Sequence, residues 1–175
     1  MAGWPVQAMG AALLGVCAFA GCSRSHTASF EPIRFEQWQR QLQLMKGNIV
    51  VVDVWATWCA PCLERFPHMV ELSRSYKGQD VEFVSINVDD REDKATIEKA
   101  RQFVLRQNAN FRNYLMNENI LQSFENLGVQ GIPAVLLYDR AGRLRYNLNG
   151  DNPNDQATLK DVDDALATLV AENHD

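Results

Sequence analysis

The chain has 175 residues, of which 46% are hydrophobic and 22% are charged, and its formal net charge is −5. This length fits one domain with a substantial core, and the composition is that of a globular protein, which excludes a wholly disordered chain. The negative charge disfavours nucleic-acid binding, because the phosphates would be repelled by the field of the whole protein.

Charged residues are missing from the N-terminal 23 residues, and all of them lie at Arg24 or beyond. Within that stretch AALLGVCAFAGC (residues 11–22) has the length of a secretory signal and is too short for a membrane span. Its end resembles the lipobox of bacterial lipoproteins, which predicts cleavage before Cys22 and acylation of that cysteine. We therefore expect a signal peptide at 1–21, a lipidated Cys22 with a polar tether at 22–34, and a folded domain at 35–175. An uncleaved apolar anchor and an ordinary cleaved signal are the alternatives, and all three export the protein.

Alternating strands and helices are predicted after the tether. An amphipathic helix is expected at 35–48, and IVVVDVWA at 49–56 indicates a strand buried on both faces. The later elements are predicted, in chain order, as a helix at 60–76 with Pro67 inside it, a strand at 81–88, a helix at about 94–107, a short strand at 111–117, a short helix at 119–128, two strands within 129–150 joined at 139–142, and a helix at about 155–172. This order is typical of a three-layer α/β sandwich.

Two of the four cysteines, Cys59 and Cys62, are three positions apart. If Cys17 leaves with the signal and Cys22 carries lipid, this pair supplies the thiols of the folded domain. A structural disulfide across so short a loop would remove little entropy from the unfolded chain, so a redox pair is favoured. Cys59 is expected at a strand-to-helix junction, where the helix N-terminus favours thiolate over thiol. Cys62, one turn into the helix and less exposed, is the expected resolving thiol.

Asp53 lies in the middle of the predicted buried strand, six residues before Cys59. Burial should raise the pKa of its carboxyl, and we expect this group to accept the proton of Cys62. A purely structural carboxylate is the alternative. Pro133, in Gly131-Ile132-Pro133, is predicted at the start of a strand, where proline is tolerated. A cis peptide bond that presents the Ile132 backbone to an extended substrate is the functional alternative.

Together the run Asp53-x-Trp55-x-x-Trp58-Cys59-x-x-Cys62, Pro67, and Gly131-Ile132-Pro133 resemble the thioredoxin fold and its active site. With the export signal and an insert after about Lys94, the chain is most similar to exported, membrane-tethered reductases of the TlpA and ResA type. The resemblance implies a thioredoxin-like α/β/α sandwich with a central mixed sheet and a helix-strand insert. It also implies roles for individual residues: Cys59 as nucleophile, Cys62 as resolving thiol, Asp53 as proton acceptor, Pro133 as cis-proline, and Trp55 and Trp58 as an apolar collar for substrates, with Ala60, Pro61 and Ile132 as neighbouring substrate contacts.

The resemblance further implies a thiol-disulfide oxidoreductase that reduces disulfides in exported client proteins, takes electrons from a membrane donor, and needs no cofactor. Apo-cytochrome c thiols are the expected client, with general disulfide repair as the alternative. The exported relatives usually carry an acid three residues after the second cysteine, where this chain has Arg65, with Glu64 one place earlier. This departure leaves partner choice and redox potential open.

Four other functions share some of these features. A zinc site at the cysteines with His68 is disfavoured, because no second Cys pair follows and His26 and His174 lie in the terminal regions. A peroxiredoxin-like peroxidase would place Thr or Ser and Pro before its reactive cysteine, where this chain has Trp58. A disulfide-forming oxidant would commonly carry His between the cysteines, where this chain has Ala60 and Pro61. A non-enzymatic adaptor is the last alternative.

Overall fold

The computed structural model describes Met1, residues 30–149 and residues 159–172. Six strands and five helices occur in these residues. In chain order they are β1 (Phe30–Ile33), α1 (Phe35–Leu44), β2 (Ile49–Trp55), α2 (Ala60–Ser75), β3 (Val81–Asn87), α3 (Lys94–Arg106), β4 (Arg112–Met116), α4 (Ile120–Leu127), β5 (Ala134–Tyr138), β6 (Leu144–Asn149) and α5 (Leu159–Ala171). The predicted elements from 35 onward are present, with ends shifted by a few residues; residues 155–158 of the predicted last helix lie outside the described part.

The strands form one sheet in the order β1-β4-β3-β2-β5-β6. The first four are parallel, and β5 runs antiparallel to β2 and β6 antiparallel to β5. Every residue of β2 is buried, as its uninterrupted apolar sequence predicts for a strand covered on both faces. The central mixed sheet is therefore confirmed. β2 lies in the interior of this sheet, between β3 and β5, and the cysteines follow it in the chain.

Helices cover both faces of this sheet, which completes the predicted three layers. Phe66 of α2 packs against Phe103 of α3 with ring centroids 5.1 Å apart, and His68 of α2 hydrogen-bonds to Asp163 of α5. These contacts place α2, α3 and α5 on one face, while α1 and α4 contact each other on the opposite face. The architecture is that of a thioredoxin-like fold.

The predicted helix-strand insert is formed by α3 and β4. Asp93 is the N-cap residue of α3, and its side chain accepts hydrogen bonds from the backbone N-H groups of Ala95 and Thr96. β4 then inserts into the sheet between β3 and β1, and Asn113 is fixed by Ser85 and by two backbone carbonyls. The insert therefore widens the sheet and adds a helix to the face that carries α2.

The predicted boundary between tether and domain is wrong by a few residues. Residues 30–33, assigned to the tether, form the edge strand β1, in which Phe30 and Ile33 are buried. β1 pairs in parallel with β4 along its whole length. Pro32 is compatible with this strand because an edge strand needs hydrogen bonds on one side only. The folded domain thus includes Phe30. The predicted signal at 1–21 and the acylated Cys22 lie outside the described residues.

The turn between β5 and β6 confirms the predicted hairpin and is organised by Asp139. Its carboxylate accepts hydrogen bonds from the backbone N-H of Ala141 and from the backbone and side chain of Arg143. Partial burial acts to raise the pKa of Asp139, but these hydrogen bonds and the Arg143 charge lower it below its ordinary value. Gly142 closes the turn with a φ of 77°, which a residue with a side chain rarely adopts.

Across residues 30–149 and 159–172, no helix is both long and apolar enough to cross a membrane.

Candidate active site

Cys59 and Cys62 form a disulfide at the beginning of α2, with an S–S distance of 2.04 Å and a Cα–Cα distance of 5.3 Å. Cys59 is the N-cap residue of the helix, and its Sγ accepts a hydrogen bond from the backbone N-H of Cys62 at 3.3 Å. Ala60 and Pro61 form the first turn, where proline has no helical hydrogen bond to lose. The sulfur of Cys59 therefore lies where unpaired backbone N-H groups and the helix dipole stabilise negative charge.

The surroundings of the two sulfurs differ. Cys59 is 5% exposed and Cys62 is fully buried, in the order that the sequence predicts. Trp58 is 59% exposed, and Ala60 and Pro61 are exposed as well. An incoming group can thus approach Cys59 between exposed residues, whereas Cys62 is shielded by the helix and the sheet.

Trp55 does not belong to the surface, and its predicted place in a substrate collar is wrong. Its side chain is fully buried at the end of β2. The indole packs against Phe66 of α2 and Phe103 of α3, with centroid distances of 5.2 and 5.3 Å. The reason is that β2 is covered on both faces, so a large apolar side chain at its last position enters the core. Trp58, three residues later and outside the sheet, is the indole that solvent reaches.

Asp53 is buried in the centre of β2, and its partner is Arg65 of α2, which is 6% exposed. Nη2 of Arg65 donates hydrogen bonds to Asp53 Oδ1 and to the carbonyl oxygen of Ala134, the latter at 3.2 Å. Burial raises the pKa of Asp53, as the sequence predicts, while the charge and hydrogen bond of Arg65 act in the opposite direction. The sequence does not predict this buried ion pair, because an arginine on a helix normally indicates a solvated position.

Asp89 is a second buried carboxylate that the sequence did not single out. Its oxygens accept hydrogen bonds from the backbone N-H of Thr57 at 3.0 and 3.1 Å and from the Thr57 hydroxyl at 2.9 Å. Asn87 donates its side-chain amide to Asp89 at 2.7 Å. Asp89 therefore fixes the segment between β2 and Cys59. Its position in a charged run after a predicted strand indicated a solvated turn, and no local pattern distinguishes it from Asp90.

The segment before β5 meets the same edge of the sheet. Val54 pairs with Ala134 in the β2–β5 register, which places Pro133 beside the end of β2. The Ile132–Pro133 peptide bond is cis, as the resemblance implies. Pro133 is buried and Ile132 is half-buried. Pro133 therefore lies beside the end of β2 from which the chain continues to Cys59.

A groove of about 580 Å³ lies beside Trp58. Its other walls come from the turn after β3 and from the beginning of α4, and they include Asp90, Arg91, Glu92, Glu118, Asn119 and Ile120. Three carboxylates face one guanidinium, and Arg91 already binds Glu92 and the carbonyl oxygen of Asn117. The groove is thus acidic, and Val88 and Ile120 contribute apolar lining.

Residues 37–166 match the protein family described as Redoxin. The chain belongs to the Redoxin family. The matched region of this Redoxin protein contains β2, the cysteines, α2, the insert and β5.

Two curated proteins show the similarity of this Redoxin chain in sequence. The thiol:disulfide interchange protein DsbE of Vibrio cholerae is 31% identical over 125 residues, which cover 66% of this chain and 59% of that protein. The thiol-disulfide oxidoreductase ResA of Geobacillus kaustophilus is 30% identical over 112 residues, which cover 64% of this chain and 60% of that protein. The chain thus spans about three fifths of the length of these relatives.

Solved structures show the same fold. A crystal structure described as a candidate thiol:disulfide interchange protein DsbE from Chlorobium tepidum has a TM-score of 0.60 at 27% identity, over 74% of this chain and 84% of that chain. A thiol-disulfide isomerase from Corynebacterium glutamicum has a TM-score of 0.61 at 20% identity, over 73% and 84% of the two chains. The second similarity concerns the fold alone.

His68, considered as a metal ligand, has a different partner. Its Nε2 lies 2.7 Å from Asp163 Oδ1 on α5. In the part of the chain that the structure describes, no group of three His, Cys, Asp or Glu residues is placed to hold a metal ion. His68 of this Redoxin protein therefore links two helices on one face of the sheet.

Proposed function

We propose that the protein is a thiol-disulfide oxidoreductase that reduces disulfides in exported client proteins. The observation that carries the proposal is the Cys59–Cys62 disulfide at the N-terminus of α2, with Cys59 beside exposed residues and Cys62 buried behind it. The similarity to proteins named DsbE and ResA supports it.

The proposed reaction uses the reduced protein. The Cys59 thiolate attacks one sulfur of a client disulfide, the other client sulfur leaves as a thiolate, and a mixed disulfide forms. Cys62 then gives its proton to Asp53 and attacks the Cys59 sulfur, which releases the second client sulfur as a thiolate and forms the Cys59–Cys62 disulfide. Two electrons have passed to the client. A dithiol donor then supplies two further electrons that reduce the Cys59–Cys62 disulfide, and the donor dithiol is oxidised to a disulfide. By resemblance that donor lies in the membrane.

We infer that the client docks around Trp58. The exposed indole, Ala60 and Pro61 supply apolar surface next to Cys59, and the half-buried Ile132 lies on the segment before β5. The acidic groove beside Trp58 suits a client segment with basic residues near its cysteines. Apo-cytochrome c thiols are the client class that we propose, on the resemblance to the exported reductases, with general disulfide repair as the alternative.

The proposal includes export and attachment to the membrane through an acylated Cys22, with the domain facing the periplasm or the cell exterior. The uncharged N-terminal segment and the small residues before Cys22 support it. Replacing Cys22 with Ala should release the full-length protein from the membrane fraction, while Cys17→Ala should leave it attached. Equal attachment of the two variants would contradict the lipid anchor.

Trapping of the mixed disulfide tests the central reaction. The probe is a synthetic peptide with one intramolecular Cys-x-x-Cys disulfide, mixed with reduced full-length protein. Cys62→Ser should accumulate a covalent adduct that dithiothreitol dissolves, because the second attack is removed. Cys59→Ser should form none. Adducts formed by Cys59→Ser and absent from Cys62→Ser would reverse the assigned roles, and no adduct with either variant would refute the reaction.

Two further measurements test direction and proton transfer. In glutathione buffers we expect a reduction potential nearer the value of about −270 mV for thioredoxin than that of about −120 mV for DsbA; the opposite result would favour a disulfide-forming oxidant. With the aromatic disulfide 5,5′-dithiobis(2-nitrobenzoate), the first released thiolate reports attack by Cys59 and the second reports resolution by Cys62. Asp53→Asn should slow the second phase more than the first, and equal slowing would remove the role of Asp53 as proton acceptor.

A further inference from the structure

Arg65 connects three parts of the site through one nitrogen atom. It lies three residues after Cys62 on α2, so both side chains are on the same side of the helix. Its Nη2 binds Asp53 on β2 and the carbonyl oxygen of Ala134, the residue that follows Pro133. The guanidinium is thus a link between the resolving cysteine's helix, the buried carboxylate and the start of β5.

Stability alone does not explain this pair. Replacing a buried ion pair with well-packed apolar residues is often neutral or stabilising, because both charges lose hydration on folding. The pair also leaves polar atoms without hydrogen bonds: Asp53 Oδ2 and Arg65 Nε are buried, and neither has a partner among the described residues. A carboxylate oxygen with a free lone pair is what a proton acceptor requires.

We propose that Arg65 is a positioning residue for Asp53, which fixes the carboxylate through Oδ1 and favours its charged form, so that Oδ2 can take the proton of Cys62. The last step rests on the proposed function, in which Asp53 accepts that proton. The effect of Arg65 on the carboxylate does not depend on that proton transfer and can be measured separately.

Arg65 is the charge that acts on Asp53. In the sheet, Asp53 pairs with Ser85 of β3 and Val135 of β5, and neither titrates. The next ionisable groups on α2 are Glu64, which is exposed, and His68, which binds Asp163 of α5. Burial raises the pKa of Asp53, and the charge and hydrogen bond of Arg65 lower it. An opposite charge this close changes a carboxyl pKa by about one to three pH units, so loss of Arg65 should move the titration upward by that amount.

The test compares Arg65→Met with the wild type between pH 5 and 9. Met is apolar, unbranched and a good helix former, so it fills the site with little change in α2. In the two-phase reaction of the reduced protein, the midpoint of the second phase should move about one to three pH units higher, which makes resolution about 10- to 1000-fold slower below both midpoints. The first phase should keep its midpoint, because Cys59 and the helix N-terminus are unchanged.

A direct readout of the carboxyl group separates this proposal from the proposed function. The infrared band of a protonated carboxyl in the oxidised protein, assigned by its absence from Asp53→Asn, should titrate at a higher pH in Arg65→Met. Movement of this band without movement of the second phase would support the hold of Arg65 on the carboxylate and overturn proton transfer to Asp53. Unchanged midpoints in both readouts would overturn the proposal.

Two further variants serve as controls for charge and for substitution on α2. Arg65→Lys retains the positive charge and should place both midpoints between those of the wild type and Arg65→Met. A midpoint equal to that of Arg65→Met would contradict a role for charge. Arg74→Met makes the same substitution at an exposed position of α2 and should leave both midpoints at the wild-type values. Circular dichroism of each variant confirms that the folded protein is compared.

Discussion

Replacing Arg65 with Met should destabilise the oxidised protein by an amount that grows with pH. The substitution removes the positive partner of Asp53, a carboxyl group that is buried in the middle of β2. Without that partner the buried carboxyl holds its proton more tightly, so the pKa of Asp53 in the folded protein rises further above its value in the unfolded chain. The free energy of unfolding then depends on pH where that of the wild type no longer does.

The magnitude follows from linkage. The folded pKa of Asp53 is already raised above the unfolded value of about 3.9, so its contribution to stability is greatest at low pH and is lost as pH rises through the folded pKa. Each pH unit between the two values costs about 1.4 kcal/mol. In Arg65→Met this loss continues for about one to three more pH units, which adds about 1.4 to 4 kcal/mol above the wild-type midpoint.

The complementary substitution should behave differently. Asp53→Asn leaves a buried guanidinium that cannot lose its proton, so it should cost about 3 to 5 kcal/mol. The stability of this variant should also lack the pH dependence that the carboxyl of Asp53 gives the wild type. Replacing both residues, as Asp53→Leu with Arg65→Met, removes both charges together. We expect the double variant to be more stable than Asp53→Asn alone, because no uncompensated charge remains buried.

The assay is urea unfolding of the oxidised full-length chain at several pH values, followed by tryptophan fluorescence and circular dichroism. Arg74→Met is the matched control; it should cost less than about 1 kcal/mol at every pH, because that arginine is exposed near the C-terminus of α2. A cost for Arg65→Met that does not grow with pH over the range in which the carboxyl of Asp53 titrates would refute the reasoning. The reasoning would also be refuted if Asp53→Leu with Arg65→Met lost as much stability as the two single substitutions added together.

Three further predictions concern the surroundings of the site. Phe66→Ala should lower the free energy of unfolding by about 3 to 5 kcal/mol, because it opens a cavity in the buried aromatic cluster; a loss under about 1 kcal/mol in urea unfolding would contradict this packing. Asp89→Ala should cost about 2 to 4 kcal/mol and speed hydrogen exchange at the Thr57 amide, whereas Asp90→Ala should leave that amide protected. Asp139→Asn should destabilise the protein at pH 7, and the difference from the wild type should shrink as pH falls from the unfolded value of about 4 through the lowered folded pKa of Asp139. A difference that does not shrink on acidification would refute this.

The fold was predictable from the sequence where periodicity was strong. The apolar run of β2 predicts a central strand, and the turn chemistry at 139–142 predicts the hairpin. β1 was missed because FEPI is short, carries Glu31 and Pro32, and shows no alternation that distinguishes it from a tether. Its strand structure depends on β4, which lies about 80 residues later in the chain.

The candidate site was predictable where the chemistry is local. Spacing alone places Cys59 at the start of α2 and Cys62 one turn later. Arg65 and Asp89 could not be found in this way, because a charged residue normally indicates a solvated position. Arg65 pairs with Asp53, which precedes it by 12 positions. Asp89 accepts hydrogen bonds from Thr57, which lies in the segment after β2. Both roles exist only after the sheet has formed.

The turn after β3 has two parts, one buried and one exposed. Asp89 itself holds the segment that leads to Cys59 and Cys62, whereas Asp90, Arg91 and Glu92 are exposed and line the groove beside Trp58. The charge of the groove can therefore be changed by exchanging three consecutive exposed residues, while the carboxylate of Asp89 stays in place. On the proposed function, substitutions at these three positions are expected to change which disulfide-containing segments react, while the position of Cys59 stays the same.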